Sequence, residues 1–556
     1  MVNVKNLFGM AVMATALVGC SSNDNLAPDG NGGNKDGAAY ASFTINLPTT
    51  RATRATDGEP SFAEGDAKEY EVKNGTILIF NNEGNFVTSA QLGNMNPWKD
   101  IKTDGVTTAA TATVQLSGVK VGGSYQALVL LNNDVDGAPS KVTLPTSGES
   151  YATWSANAAN ANATYIKTDY IFMANAPKYT DASAEPTTLV PVANICASRE
   201  QAEAKAATTV YVERGLAKVT MQKFNADGYA IAAGTYKGDK VEIKAWQLDV
   251  TNKSTFPVHQ TSSLTDGFAN IWSTPRFYDE TSSAFKRVYW GVDPNYSGAT
   301  LQNLIACKDA FNMIGKDDIA GKTGNDHPQY CLENTFDLAN MMQGQTTRVV
   351  FKAVYTPNTF TSGQTFYKIG NNTAIWSEEN LAQQIKTVAV TAMGITDAAE
   401  QDKYSVDLSK GSNISGVAGQ HLVEAGNIIY SGEAASSKVK EAVVNAINEK
   451  LGLTAKTGIS TYLNGEAYYI ARIKHFNEMT PWTAGEGYDG NNVKYLGRYG
   501  VLRNNWYDLS VNSISGLGYP DIPEVKPNMP DDENEQYINV EVKILHWAKR
   551  SQNINL

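Results

Sequence analysis

The residue best placed for covalent chemistry is Cys20, which closes the run Leu17-Val18-Gly19-Cys20. Before it come Lys5, in a short basic region, and an apolar stretch over residues 7–18 that is too short to span a bilayer permanently. Small residues ahead of a cysteine at the end of an export signal match the lipobox of bacterial lipoproteins. There the thiol is diacylated before the signal is cut, and the cysteine becomes the first residue. Each buried acyl methylene contributes about 0.8 kcal/mol, so several chains hold a precursor on a membrane. The expectation is a signal peptide over residues 1–19 and lipidation at Cys20. The second chemical feature is a peptide bond exposed to proteolysis. Thr49-Thr50-Arg51-Ala52-Thr53-Arg54-Ala55-Thr56-Asp57-Gly58 is small and polar, and its arginines are the only basic side chains between Lys35 and Lys68. Exposed loops of small residues are where proteases cut. An ordinary linker with two solvated arginines is the plainer alternative, and composition by itself favours it.

Other residue sets able to do chemistry lack the required pattern. Gly485-Glu486-Gly487-Tyr488-Asp489-Gly490 fits a dinucleotide fingerprint as a string, but Asn491-Asn492-Val493-Lys494-Tyr495 does not start a helix that could face a pyrophosphate. Asn132 begins a calcium-loop-like run whose twelfth position is Thr143, where a bidentate glutamate is needed. His259, His327, His421, His475 and His546 stand singly, with no H-E-x-x-H and no G-x-S-x-G. Cys196, Cys307 and Cys331 have no C-x-x-C spacing; a Cys307–Cys331 disulfide and buried thiols are both open. The expectation is therefore no catalytic residues, no metal site and no cofactor. A formal net charge of −11 argues against nucleic acid as a partner.

Two isolated strands flank the chain. Near the start, Ala41, Phe43, Ile45 and Leu47 alternate with polar residues until Pro48. Near the end, Ile538, Val540, Val542 and Ile544 alternate with Asn539, Glu541 and Lys543, and Trp547 follows between two strand-like pieces. Residues 517–536 carry Pro520, Pro523, Pro527 and Pro530 among six acidic side chains, which reads as a tether too charged and proline-rich to pack. A strand on such an arm either folds back into its own sheet or is donated to another molecule by β-augmentation.

Between the strands, 556 residues supply two or more domains, and 19% charged residues with short alternating runs indicate a mainly β fold of sandwich-like modules. The expected first domain covers residues 55–239, with a hairpin around Asn81-Asn82-Glu83-Gly84-Asn85. The second covers residues 240–516, and its one strong helix is expected over residues 438–451, ended by Gly452.

Several stretches taken together resemble the Bacteroidales fimbrillins that build type V pili, and among them the shaft subunits of the minor fimbrium. They are the lipobox, the strand-then-arginine segment, Tyr125-Gln126-Ala127-Leu128-Val129-Leu130-Leu131-Asn132, Val212-Glu213-Arg214-Gly215-Leu216-Ala217-Lys218-Val219, Val501-Leu502-Arg503-Asn504-Asn505-Trp506-Tyr507, and Val540-Glu541-Val542-Lys543-Ile544-Leu545-His546-Trp547. The resemblance implies two transthyretin-like β domains and a structural, non-enzymatic role. It also implies a precursor carried to the outer membrane as a lipoprotein, with residues 20–54 as a propeptide. An arginine-specific protease would cut after Arg54, or after Arg51, and remove the first strand. The groove so opened would take a C-terminal donor strand, residues 537–556, from an identical or related subunit. The alternatives are an anchor or tip subunit, or a surface lipoprotein that binds glycans.

Overall fold

The computed structural model describes residues 38–46, 66, 69, 71–93, 109–134, 140–157, 159–160, 165–166, 169–179, 186–261, 288–296, 301, 303–337, 340–432, 439–475, 496–531 and 538–546. Cys20, Arg51, Arg54 and Trp547 lie outside the described residues.

The first sheet is built from Ala39–Asn46 (β1), Gly75–Asn81 (β2), Phe86–Gln91 (β3), Ala109–Leu116 (β4), Tyr125–Leu131 (β5), Met173–Asn175 (β6), Val190–Pro191 (β7) and Thr208–Arg214 (β8). Its order is β3-β2-β5-β6-β8-β1-β4, with β7 also paired to β5. The runs in β2 and β5 are apolar without a break because both of their faces are covered. Ile77, Ile79, Ala127 and Val129 enter one core, and Leu78, Phe80, Leu128 and Leu130 enter another. The expected hairpin is β2–β3, turned at Gly84 with φ 81°.

Besides short two-stranded pairings, the later strands are Ala217–Met221 (β9), Tyr229–Ala230 (β10), Lys240–Asp249 (β11), Gln329–Cys331 (β12), Arg348–Thr356 (β13), Phe366–Ile369 (β14), Ile375–Trp376 (β15), Gln420–His421 (β16), Ile459–Tyr462 (β17), Glu466–Arg472 (β18), Asn505–Ile514 (β19) and Ile538–His546 (β20). Two four-stranded sheets, β12-β9-β19-β20 and β10-β11-β13-β18, share a core containing Val219, Trp246, Phe351, Tyr469 and Tyr507. That arrangement is a sandwich. The whole is mainly β.

The chain passes from the first sheet to this sandwich at Gly215-Leu216, between β8 and β9, and not near residues 239–240 as the sequence suggested. A Cβ at Gly215 would lie 2.4 Å from Tyr165 Oη, so this crossing admits no side chain. Buried polar links pin it. Lys218 pairs with Glu69 at 2.6 Å, and Arg214 donates to Asn504 Oδ1 at 3.2 Å. Composition is blind to this boundary because β9 is as apolar as the strands before it.

A third unit interrupts the sandwich between β13 and β18. Strands β15-β14-β17-β16 carry Glu378–Ala392 (α1) and Glu441–Lys450 (α2). Helix α1 is the longer, so the expectation of one strong helix is corrected. It starts at Ser377, whose side chain accepts from Asn380 N at 3.2 Å, with Glu378 and Glu379 in the first turn, and it buries Leu381, Ile385 and Ala389. Helix α2 falls where the sequence placed a helix, and Gly452 follows its end with φ 69°.

Candidate functional site

Strand β1 is an interior strand. All eight of its residues face β4 in antiparallel register, from Ala39↔Leu116 to Asn46↔Ala109. On its other side Phe43 to Asn46 run parallel to Thr208 to Tyr211 of β8. The period of two turns Ala39, Ala41, Phe43 and Ile45 into the core, each at 0% exposure. The outward side chains are tied down as well. Ser42 Oγ donates to Ala202 O at 2.9 Å and meets Thr113 Oγ1 at 2.7 Å, and Thr44 meets Thr111 at 2.9 Å. Tyr40 exchanges two backbone hydrogen bonds of 2.9 Å with Cys196. The Arg199 guanidinium lies 6.0 Å from the Tyr40 ring and donates to Thr113 O at 2.9 Å. Burial of Phe43 and Ile45 alone contributes roughly 3–6 kcal/mol. Sequence patterning identified the strand but not its partners; Arg199 and the segment around Cys196 had no motif to mark them.

The C-terminal strand exists as expected, and it lies in its own sheet. Strand β20 pairs antiparallel with β19 from Ile514↔Ile538 to Asn505↔His546, with one irregularity between Val511 and Ser513. Val540 stands opposite Val511 and Val542 opposite Leu509. Of the two arrangements open from sequence, the chain as a single molecule adopts the fold-back. The physical reason is plain: β9 covers only one side of the ten-residue strand β19, and an uncovered edge of that length is a template for pairing.

The expected unstructured tether is corrected over its described part, residues 517–531. Leu517, Ile522 and Val525 are buried. Arg348 Nη2 donates to Pro523 O at 2.7 Å, and Tyr519 exchanges two 2.8 Å backbone bonds with Tyr468. Lys316 pairs with Asp521 at 3.2 Å. Averaging charge and proline content over twenty residues hid three spaced apolar anchors, and proline lowers the entropy lost when an extended segment is seated.

Two histidines elsewhere are tied to buried partners. His259 Nδ1 meets Glu213 at 2.7 Å, and His475 Nδ1 meets Tyr507 Oη at 2.8 Å. Burial lowers the pKa of His421. Asp293 is pushed up to about 7 by desolvation, although Asn295 and Asn252 donate to its carboxyl group. Cys307 and Cys331 are buried thiols in different cores, with no disulfide between them. Among the described residues no three His, Cys, Asp or Glu side chains gather as a metal site. No helix among them is long and apolar enough to cross a membrane. A polar groove of about 740 Å³ runs between β3 and β4, with Gln91, Thr113 and Arg199 on its walls.

Residues 460–553 match a family described as major fimbrial subunit protein type IV, fimbrillin, C-terminal. No curated protein matches the chain significantly. Among solved structures, a cell adhesion protein of Parabacteroides distasonis is 11% identical, with 93% of this chain and 99% of that one covered at a TM-score of 0.38. A cell adhesion protein of Bacteroides eggerthii is 11% identical, with 92% and 97% covered at 0.35. A fimbrial assembly protein of Parabacteroides distasonis is 12% identical, with 60% and 92% covered at 0.26.

Proposed function

We propose that this chain is a structural subunit of a cell-surface pilus shaft, which polymerises when proteolysis releases β1 and the C-terminal strand of another copy takes its place. The observation that carries the reading is the position of β1. It is joined to the next described residue, Asp66, only through the stretch that holds Arg51 and Arg54, yet it pairs with both β4 and β8. Its loss would leave two strand edges unpaired and a trough where Phe43 and Ile45 had been. Such a trough is a β-augmentation site: ladder bonds give affinity and pockets for alternate side chains give selection. The match of residues 460–553 to a fimbrillin C-terminal family supports the same reading.

In this scheme Cys20 holds the precursor on the outer membrane by its acyl chains. An arginine-specific protease cuts after Arg54, or after Arg51, within residues 49–58. The arm of the next copy, with Ile538, Val540, Val542 and Ile544 on one face and Trp547 beyond, leaves its own β19 edge and enters the trough. The exchange is favourable because the strand trades an edge ladder with one neighbour for an interior ladder with two. Each ladder bond adds about 1 kcal/mol net.

N-terminal sequencing of subunits taken from surface fibres tests the scheme. The expected first residue is Ala55, or Ala52 if Arg51 is used. Polymerised subunits that still begin at Cys20 would show that assembly does not need the cut. Mature protein run on a gel without boiling should give a ladder of subunit multiples, whereas a lone monomer band would favour a glycan-binding surface lipoprotein.

A further inference from the structure

Residues 517–531 form a strap seated along the C-terminal body. Its start is held by Tyr469 Oη donating to Gly516 O at 3.1 Å, Tyr462 Oη donating to Gly518 O at 2.9 Å, and the paired 2.8 Å backbone bonds between Tyr519 and Tyr468. Its middle is held by the Arg348 bond to Pro523 O, with Arg348 ion-paired to Asp249 at 2.7 Å. At its end Gln343 N donates to Met529 O at 2.9 Å, Asp531 N donates to Met341 O at 3.1 Å, and Thr346 Oγ1 donates to Asp531 Oδ2 at 3.1 Å. Asp531 is 3% exposed, which is unusual for an aspartate in a run of acids and prolines. The body is shaped to receive the strap. A Cβ on Gly419 would lie 2.9 Å from Pro520, and one on Gly344 would lie 3.1 Å from Pro527 Cα.

We propose that the strap stays clamped to its own subunit when β20 is passed to another copy, so that the arm pivots at Asp531 and tension between neighbours enters the body through the strap's last bonds, to Met341, Gln343 and Thr346. This inference rests on the strand-exchange reading above. Lifting β20 opens one edge ladder. Lifting the strap too would expose Leu517, Ile522 and Val525 and break the bonds to Arg348 and Asp531. A fixed pivot also sets geometry. The seven backbone steps from Asp531 to Ile538 reach at most about 24 Å, so the receiving trough must begin within that distance of Asp531. If the strap peeled away, the reach would be several times longer.

The test uses full-length subunits, cut after the first strand and polymerised in solution, with the unboiled gel ladder as readout. Deleting Glu533 to Gln536 leaves the strap intact and shortens the arm. It is expected to cut polymer yield at least tenfold, and restoring four Gly/Ser residues should recover it. Undiminished polymer from the deletion would overturn the clamp. In the second arm, Thr346→Cys with Asp531→Cys is oxidised to bond the strap end to the body. The oxidised protein should polymerise within about twofold of its reduced form; polymerisation only after reduction would mean that the strap must leave. A chain truncated after Gln536 separates the two ideas, since polymer from that chain removes the strand-exchange reading itself, whatever the other variants do.

Discussion

Phe43 is wholly buried in a strand that the proposed assembly discards, and this makes it a reporter of exchange. Phe43→Ala should destabilise the uncut precursor by about 3–4 kcal/mol, measured by urea unfolding, because a large cavity opens between β4 and β8. The same substitution should leave the heat resistance of assembled fibres unchanged, since the residue is no longer present in them. A weakened fibre would mean that β1 is retained. Asp293 gives a second residue-scale prediction. Its folded pKa of about 7 lies well above the ordinary aspartate value because burial outweighs the bonds from Asn295 and Asn252, with Glu333 nearby adding to the shift. The folded state therefore holds a proton that the unfolded chain has released, and the stabilisation is full below about pH 4 and lost as pH rises through 7. Asp293→Asn should remove a downward slope of stability between these pH values, on the order of 4 kcal/mol in total. Thermal melts across that range check it; an unchanged slope would place the titration elsewhere.

Among the elements, alternation was enough to find β1 and β20, each with one apolar face at period two, while β2 showed itself as an unbroken apolar run ahead of a hairpin turn. Pairing was not readable. Ser42 meets Thr113 across 71 residues of chain and Arg214 meets Asn504 across 290, and neither contact leaves a local signal. The passage at Gly215 and the unit holding α1 were missed for related reasons. Gly215 is dictated by the distant Tyr165, and α1 shows a capping serine and a narrow apolar stripe within a polar stretch. The strap was misread because charge and proline content were weighed without the spacing of Leu517, Ile522 and Val525. The last strand carries its own prediction. Val540→Asp with Val542→Asp should abolish the ladder on unboiled gels, since each carboxylate would be carried into an apolar trough at a cost of several kcal/mol. Asn539→Asp, one position out of phase, should assemble within about twofold of the unaltered chain. Equal loss from all of these changes would mean that the phase of the strand is not what the trough selects.

At the scale of the whole molecule, β1 fills the seat between β4 and β8 and β20 lies along β19, so neither that seat nor the β19 edge is open in the uncut chain. In the proposed scheme this arrangement keeps the uncut chain monomeric: the seat of β1 and the edge of β19 stay paired until a cut and a second copy act together. The formal charge of −11 adds a long-range repulsion between copies. Assembly in solution should therefore speed up as salt rises towards physiological strength, where the Debye length shortens to about 8 Å. A chain truncated after Gln536 makes the polarity of growth visible. It keeps its strap and, once cut, its trough, so it accepts an arm and offers none. Mixed with full-length cut subunits, it should cap one end of each fibre, and mean ladder length should fall in proportion to the inverse of its share of the mixture. If the mixture instead gives the full-length distribution plus an unincorporated monomer band, the truncated chain is not an acceptor, and the trough left by β1 is not where the arm binds.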